Sequence, residues 1–198
     1  MMALPHLSKM SVEEYFQLLH DSLDVRYEYI DGWVYALAGG TLDHARIAFN
    51  VARALDDSLQ DGCQAFTSDA SLRLSNNRYV FPDVIVSRDE RDRGKATEIL
   101  YPQIIVEVLS LGTMNYDRGK KFLYYRECPT LQEYVIIYTE YQAVEVFKRE
   151  TKNLWTLRAF GPGDTIELIS IGVRFSISSV YKKTIVPADD LLVEDSPE

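Results

Sequence analysis

The chain has 198 residues, of which 46% are hydrophobic and 26% are charged, and this is enough apolar material for the core of one domain. Lysine and arginine together number 21 and aspartate and glutamate 30, so the formal net charge is −9. That balance argues against a protein that binds nucleic acid through a broad basic surface. Any polyanion that the chain binds must be held locally.

No stretch of about 18 apolar residues occurs, and residues 1–10 lack a charged start followed by an apolar segment, so we expect neither a membrane span nor a signal peptide. We therefore expect a cytoplasmic protein. Cys63 and Cys128 are the only cysteines and have no CxxC spacing, which predicts neither a disulfide nor a zinc site. We expect a single domain over 1–188 and a flexible acidic tail over 189–198.

Hydrophobic periodicity and turn residues predict the secondary structure in chain order. The predicted elements are a helix over 11–20, strands over 26–30 and 33–37, a helix over 41–59, strands over 64–74 and 79–86, an exposed loop over 87–98, a strand over 101–109, a helix over 113–127, a strand over 133–138, and strands over 143–149, 154–160, 165–171 and 173–177. A capping box of Ser11 and Glu14 begins the first helix, and Asp31-Gly32 supplies the positive φ of a tight hairpin turn. The order strand, helix, strand before the last four strands predicts a right-handed parallel crossover. The sequence thus predicts a mixed-sheet α/β or α+β domain that ends in a β-meander.

Glu107 is the residue that fits its surroundings least, because apolar and β-branched residues flank it on both sides within a predicted strand. Burial of an unpaired carboxylate costs several kcal/mol, so Glu107 needs a partner. Since side chains alternate along a strand, Glu107 shares a face with Ile105 and Leu109. Asp83 has the same character in the preceding apolar strand, directly after Pro82.

Two acids on neighbouring apolar strands form a site for a hard divalent cation, whose charge offsets the desolvation of both carboxylates. We therefore predict a Mg²⁺ or Mn²⁺ site with ligands from Asp83, Glu107 and the main-chain carbonyl of Val108. Two alternatives remain open: Asp83 caps a turn after Pro82, and Glu107 pairs with an arginine or a lysine.

Several motifs that follow one another along the chain resemble a known family. They are Arg26–Gly32, a following helix with His44, Phe81–Val84, Ile105–Ser110, Tyr116–Lys121 with Tyr125, and Glu133–Tyr134. Over about residues 10–180 they resemble the Uma-two family of restriction-endonuclease-like proteins, once called a domain of unknown function, in the PD-(D/E)XK nuclease superfamily. The resemblance implies a restriction-endonuclease-like core in which helices flank a mixed β-sheet, with Asp83 and Glu107 as metal ligands.

The chain departs from the superfamily pattern at one important position, because Leu109 stands where a lysine is expected two residues after Glu107. In members that look like this chain the lysine is thought to come from the following helix, where Lys121 matches the family position and Lys120 is its neighbour. From the residues alone, Lys121 lies four positions after Asp117 on one helical face, which is equally consistent with an exposed ion pair.

Three further positions carry weaker predictions. The resemblance implies that Glu28 completes the acidic cluster, whereas strand alternation alone also allows it to face solvent. His44 is either a capping or packing residue of its helix or a catalytic group. Tyr124 and Tyr125 either stack on bases or belong to the core.

The leading hypothesis is a metal-dependent endonuclease that hydrolyses DNA, with Asp83 and Glu107 on the metal, Lys121 at the scissile phosphate and Glu28 as an outer ligand or base. The alternative is a catalytically inactive nuclease-fold protein that serves as a DNA-binding or oligomeric interaction module, which the missing lysine and the net charge favour. A metal-independent small-molecule-binding domain is less favoured, because the sequence has no glycine-rich phosphate loop and no nucleophile motif. Since nucleases that cut both strands are often dimers, we expect a homodimer.

Overall fold

The computed structural model describes residues 9–22, 25–37, 39–109 and 116–188. The helices are α1 (Val12–Asp21), α2 (Leu42–Asp56), α3 (Phe122–Arg126) and α4 (Ile177–Val180), with a 3-10 turn at Glu90–Asp92 and a π-helical turn at Asp117–Lys121 directly before α3. The strands are β1 (Tyr27–Ile30), β2 (Trp33–Ala36), β3 (Gln64–Thr67), β4 (Ser71–Ser75), β5 (Arg78–Val80), β6 (Val84–Ser87), β7 (Glu98–Ile99), β8 (Pro102–Val108), β9 (Glu133–Ile137), β10 (Val144–Arg149), β11 (Trp155–Phe160), β12 (Thr165–Leu168) and β13 (Val173–Ser176).

The strands form a mixed α/β structure with three sheets, and this confirms the predicted fold class. The largest sheet has the order β11-β10-β9-β8-β6-β3, and β8 and β9 pair in parallel within it. A second sheet has the order β2-β1-β5-β4-β7, and β12 and β13 form a separate hairpin. β8 is hydrogen-bonded along both edges, to β6 and to β9, and its near-continuous apolar sequence is buried on both faces, as expected for a central strand.

The two faces of β8 belong to different cores. Ile104 and Val106 pack in the core that also contains the apolar residues of α2 and of the β12–β13 hairpin. Ile105 and Leu109 pack in the other core, which includes Tyr125 from α3. Side-chain alternation therefore directs Glu107 towards the helix that follows the strand, as the sequence predicts.

Two local predictions are confirmed in detail. Ser11 accepts a hydrogen bond from the backbone of Glu14, whose side chain accepts one from the backbone of Ser11, so the capping box begins α1. The β1–β2 turn places Asp31 at φ 52° and Gly32 at φ 93°. This left-handed geometry lets a two-residue turn match the right-handed twist of the strands that it joins.

Each of two predicted strands is divided into two shorter strands in the structure. The segment predicted over 64–74 turns at residues 68–70 and supplies β3 to the large sheet and β4 to the second sheet. The segment predicted over 79–86 likewise divides into β5 and β6, because Pro82 has no N–H to continue a ladder. Both divisions carry the chain from one sheet to the other, which the local apolar pattern does not reveal.

Three other predictions need correction. The loop predicted over 87–98 is not wholly exposed, since Asp92 is buried and accepts hydrogen bonds from the Ser87 hydroxyl and from the backbone of Leu100 and Tyr101. The helix predicted over 113–127 begins, in its described part, with a π-helical turn. The predicted meander divides, because β10 and β11 extend the large sheet whereas β12 and β13 pair apart.

Two predicted segments lie partly or wholly outside the described residues. They are residues 113–115 of the predicted helix and the tail over 189–198. Within the described ranges, no helix combines the length and the apolar character that crossing a bilayer requires.

Candidate active site

A buried lysine lies at the centre of an acidic cluster where the two larger sheets meet the π-helical turn. The Nζ atom of Lys121 is 2.8 Å from Oε1 of Glu107, 3.2 Å from Oε1 of Glu28 and 3.8 Å from Oδ1 of Asp117. All four side chains are only 6–7% exposed. One cation therefore faces three carboxylates in a space with little water.

The helical segment after β8 brings its residues to the cluster at intervals of four. Asp117, Lys121 and Tyr125 recur along the side that faces β8, and all three are buried. The hydroxyl of Tyr125 donates a hydrogen bond of 2.6 Å to Oε1 of Glu107, the same oxygen that Lys121 contacts. Two donors thus fix the orientation of this carboxylate.

Glu28 connects the cluster to the segment that carries Asp83. It lies on β1, and its Oε1 atom accepts a hydrogen bond of 3.1 Å from the backbone N–H of Phe81, two residues before Asp83. Because the same oxygen contacts Lys121, Glu28 links β1, the β5–β6 connection and the π-helical turn.

Asp83 lies directly before β6 and takes part in a second group of contacts. Its Oδ2 atom accepts a hydrogen bond of 2.8 Å from the backbone N–H of Val108 and lies 3.5 Å from Nε2 of His44. The Asp83 and His44 side chains are 16% and 20% exposed, so this group is more accessible than the lysine cluster. The contact with Val108 places Asp83 at the carboxyl end of β8, one residue from Glu107.

The surroundings of His44 include a glycine that leaves room for its ring. A Cβ atom at Gly40 would lie 2.7 Å from Cγ and 2.8 Å from Nδ1 of the His44 imidazole, which is too close for a real contact. The hydroxyl of Thr41, the N-cap of α2, accepts from the backbone N–H of His44. The start of α2 therefore positions this imidazole against Asp83.

The electrostatics of the cluster favour added positive charge. Burial raises the pKa of Glu107 to about 8, and the charges of Asp117, Asp83 and Glu28 add to the rise while Lys121 opposes it. Burial also raises the pKa of Asp83, although His44, the Val108 N–H and Lys121 act in the other direction. Burial alone would lower the pKa of Lys121, but Glu107 and Glu28 raise it well above its usual value, so the lysine is charged.

The structure brings together the residues that the sequence singles out. Lys121 is buried and reaches Glu107, so it is not the exposed ion-pair residue that its spacing from Asp117 also allowed. Glu28 is buried in the cluster instead of facing solvent. Lys120 is exposed and points elsewhere, with its Nζ atom 6.0 Å from the ring centre of Tyr124.

Sequence reasoning misses one burial and two contacts. The four-residue spacing presents Asp117 only as an exposed partner of Lys121, although Asp117 is buried. The hydrogen bond from Tyr125 to Glu107 had a signal in the four-residue spacing of Lys121 and Tyr125, which puts both on one helical face. The bond from the Val108 N–H to Asp83 depends on how two distant segments pair and had no local signal.

The donor set of two carboxylates and a main-chain carbonyl fits a hard divalent cation. Among the described residues, no three His, Cys, Asp or Glu side chains are arranged to hold a metal ion. The described contacts engage Oδ2 of Asp83 and Oε1 of Glu107, which leaves the second oxygen of each carboxylate for another ligand. Mg²⁺ typically binds through one or two carboxylates and keeps several waters, so two protein carboxylates and a main-chain carbonyl suit it.

Comparison with known proteins finds a matching family model and two similar proteins from one organism. The model of the Uma2 family, described as "Putative restriction endonuclease", matches residues 12–178. "Uncharacterized protein slr1290" of Synechocystis sp. is 34% identical over 176 residues, which cover 88% of this chain and 92% of that protein. "Uncharacterized protein sll1609" of the same organism is 30% identical over 162 residues, which cover 79% of this chain and 90% of that protein.

A solved structure shares the fold. A crystal structure from Anabaena variabilis, titled as "a putative nuclease belonging to DUF820", superposes with a TM-score of 0.70 at 17% identity. The match covers 87% of this chain and 97% of that chain. The family match spans most of the residues that build the sheets and the acidic cluster, and the chain therefore belongs to the Uma2 family of restriction-endonuclease-like proteins.

Proposed function

We propose that this chain hydrolyses phosphodiester bonds in DNA with the aid of Mg²⁺ or Mn²⁺, and that Asp83, Glu107 and the main-chain carbonyl of Val108 hold the cation. The nuclease-like family supports the reaction class. The observation that carries the proposal is the excess of acidic groups at the carboxyl end of β8. One buried lysine faces the side chains of Glu28, Glu107 and Asp117 there, and Asp83 accepts a hydrogen bond from Val108, the residue after Glu107.

The excess of acidic groups has a physical consequence. Buried like charges repel one another, and each carboxylate also loses hydration, so the ionised cluster is costly unless a proton or a further cation compensates its charge, and the raised pKa of Glu107 reflects this cost. A divalent cation bound there would offset this charge, acidify a water and neutralise a phosphate oxygen.

Lys121 supplies the fixed cation of the proposed reaction. Charge grows on the phosphate oxygens in the transition state, and a preoriented ammonium group stabilises that charge more strongly in a site with little water. Leu109, at the usual lysine position, is fully buried in the apolar core and has no charge to offer. Lys121 takes over this role from the helical segment because its contacts with Glu107 and Glu28 fix its position.

The other residues orient groups or carry protons. Glu28 holds Lys121 and, through the Phe81 N–H, the segment that leads to Asp83. His44 lies against Asp83 at the more accessible side of the site, where its imidazole can move a proton between the substrate and water. Tyr125 keeps Glu107 in one orientation, since its hydroxyl donates to the carboxylate.

The proposal is tested by cleavage of supercoiled plasmid and of circular single-stranded DNA in Mg²⁺ and in Mn²⁺. We expect the wild-type protein to cut in at least one metal and Glu107→Gln to lose about 100-fold or more of that activity. Glu167→Gln is the matched control, because Glu167 is on β12 and pairs with Arg158, far along the chain from the cluster. Equal cleavage by Glu107→Gln and the wild type would contradict the proposed site.

A second candidate is a nuclease-fold protein that binds DNA without cutting it. The observation in its favour is that Lys121 already has close ion pairs with Glu107 and Glu28, which makes it a structural residue as well as a candidate catalyst. Binding of DNA without cleavage in either metal would favour this second function. The predicted homodimer and cytoplasmic location stay predictions of the sequence.

A further inference from the structure

A second row of residues runs along the same helical segment, one position before the buried row. Tyr116, Lys120 and Tyr124 recur at intervals of four, as do Asp117 and Lys121 in the row beside them. Neighbouring residues on a helix project about 100° apart, so the two rows face different directions. Tyr116 and Tyr124 are half-buried and Lys120 is exposed, whereas the Asp117 row is buried.

One ring of this row, that of Tyr124, has two cations close to it. The Nζ atom of Lys120 lies 6.0 Å from the ring centre of Tyr124, and the guanidinium of Arg78 lies 4.0 Å from the same centre. Arg78 is only 18% exposed and is held by Asp31 and Glu127. The Tyr124 ring is therefore held against a fixed arginine, while the ammonium of Lys120 is exposed and available to a ligand.

A third tyrosine joins the row from the sheet. Tyr35 on β2 is the direct antiparallel partner of Glu28 on β1, so their side chains lie on the same face of the sheet, next to the acidic cluster. Tyr35, Tyr116 and Tyr124 are each partly buried against the same apolar core, the one that contains Leu109 and Tyr125. We call Tyr35, Tyr116, Lys120 and Tyr124 the tyrosine surface.

This surface suits bases better than it suits a phosphate backbone. Aromatic side chains bind unpaired bases by stacking, and this contact needs no positive charge on the protein. A protein that follows a duplex backbone instead needs many lysine and arginine contacts, and the net charge of −9 leaves little surplus for them. In an intact duplex, moreover, the faces of the bases are stacked on one another and are not open to an aromatic side chain.

We propose that the tyrosine surface stacks unpaired bases beside the scissile phosphate, so that the substrate is single-stranded DNA or a single-stranded region of DNA and not an intact duplex. The inference rests on the proposed function, which supplies the cleavage site that the surface borders. Lys120 contacts a phosphate of the same strand, and Lys121 acts one residue away on the reacting phosphate.

Binding without cleavage tests the stacking directly. Fluorescence anisotropy is measured in EDTA and again in Ca²⁺ with a labelled 12-nucleotide single strand, with the same strand carrying two adjacent abasic positions, and with a blunt duplex of the same sequence. We expect the single strand to bind about tenfold or more tighter than both the abasic strand and the duplex. Because stacking is not ionic, the logarithm of the affinity should fall with the logarithm of the salt concentration with a slope of only about −1.

Two variants and one matched control locate the contact. Tyr124→Leu should weaken single-strand binding by about tenfold and reduce the difference between the intact and abasic strands. Lys120→Gln, at an exposed position that does not endanger folding, should weaken both strands alike and flatten the salt dependence. Tyr101→Leu is the control. Tyr101 is also half-buried beneath an arginine, with Cζ of Arg91 3.6 Å from its ring centre, but it lies directly before β8, at the end of that strand opposite to Glu107.

The outcomes separate the inference from the proposed function. Equal affinity for the single strand and the duplex, equal effects of Tyr124→Leu and Tyr101→Leu, or no single-strand binding in either buffer would overturn the inference. If the protein binds unpaired bases as described but cuts no DNA in Mg²⁺ or Mn²⁺, the inference stands and the hydrolytic function fails. If duplex and single strands are cut equally and Tyr124→Leu changes neither rate, hydrolysis stands and the inference fails.

Discussion

Two buried glutamates on adjacent parallel strands show how burial alone differs from a functional site. Glu107 lies near the carboxyl end of β8 and Glu133 at the amino end of β9, and they face opposite sides of the sheet. Glu133 is fully buried, and both its oxygens accept hydrogen bonds: Oε1 from the backbone of Ile169 at 3.1 Å, and Oε2 from the backbone and hydroxyl of Ser170 at 3.0 and 2.6 Å.

Glu107 has a different kind of environment. Both of its described contacts, from Lys121 and Tyr125, converge on one oxygen, and the lysine is shared with Glu28 and Asp117. Glu133 instead has donors of its own, with Arg158 at 3.7 Å as an additional positive charge. Glu107 is therefore a candidate for function because its neighbours are further acids that share one lysine, whereas Glu133 has a structural role because backbone and hydroxyl donors engage both of its oxygens.

The largest effect that this comparison predicts concerns Lys121. Lys121→Ala should lower metal-dependent DNA cleavage by about 100-fold to 1,000-fold, because removal of one preorganised donor to a developing anion typically has that effect. Cleavage of circular single-stranded DNA and of supercoiled plasmid measures it, with thermal melts to confirm that the variant is folded. Lys152→Ala is the control, because Lys152 is an exposed lysine in the turn between β10 and β11, and it should cut the same DNA within a few-fold of the wild-type rate. Equal rates for both variants and the wild type would remove Lys121 from the reaction.

The sequence predicted part of this contrast. Glu107 was recognisable because a strand of β-branched residues leaves a carboxylate without a local partner, and Asp83 because it follows Pro82 in a similar setting. Lys121 could be chosen over Lys120 only through the family resemblance, since both lie on one helical turn. The fold class and the parallel pairing of β8 with β9 also followed from the order of the predicted elements.

The rest depends on contacts between distant segments. The separation of β5 from β6 decides that Glu28 meets the Phe81 N–H, and no local pattern encodes this pairing over 53 positions. The burial of Asp117 depends on the π-helical turn, which hydrophobic periodicity calculated for an α-helix does not anticipate. Glu133 had a place in the family motif, but its donors come from the loop between β12 and β13, 36 and 37 residues later.

The next effect is the response of the folded protein to metal, which we expect at the site of Asp83 and Glu107 and not at Glu133. At a concentration of about 100 times the dissociation constant, Mg²⁺ should stabilise the folded protein by about 2.7 kcal/mol, because the cation binds the folded carboxylates only. Asp83→Asn should abolish this gain while leaving the metal-free protein equally or more stable, since a buried like charge is removed and the amide oxygen can still accept from Val108. Thermal melts with Mg²⁺ and with EDTA measure both quantities.

A control variant sharpens that measurement. Asp61→Asn makes the same chemical change at an exposed position and should keep the full metal response. An undiminished Mg²⁺ response in Asp83→Asn would place the cation elsewhere in the molecule.

Glu133 should behave in the opposite way. Glu133→Gln should destabilise the protein by about 1–3 kcal/mol in urea unfolding, because an amide nitrogen would then face N–H or O–H donors and leave buried groups unpaired. Its stability loss should be independent of Mg²⁺. The control is Glu167→Gln, whose side chain is 41% exposed and shares Arg158, and which should change stability by no more than about 0.5 kcal/mol. A Glu133→Gln protein as stable as the wild type would show that burial and hydrogen bonding at this end of β9 contribute little.

The smallest effect tests the loosest contact at the site. The Asp83–His44 distance of 3.5 Å is longer than the three hydrogen bonds of Glu133, so we expect it to respond to small displacements. In Gly40→Ala the added methyl group would lie 2.7 Å from the imidazole, and the ring or the start of α2 must move. If His44 carries a proton in the reaction, the displacement should lower cleavage by about tenfold, equivalent to about 1.4 kcal/mol in the activation free energy.

Gly39→Ala provides the matched control for this last effect, because a methyl group at residue 39 meets no atom within 4 Å among the described residues. It makes the same change in backbone freedom one residue earlier, so any loss shared by both variants reflects the backbone and not the imidazole. The rates at which the two variants cleave circular single-stranded DNA and supercoiled plasmid, measured between pH 6 and 8, decide the point. If Gly40→Ala and Gly39→Ala cut equally fast, His44 has only the capping and packing role that its place at the start of α2 also allows.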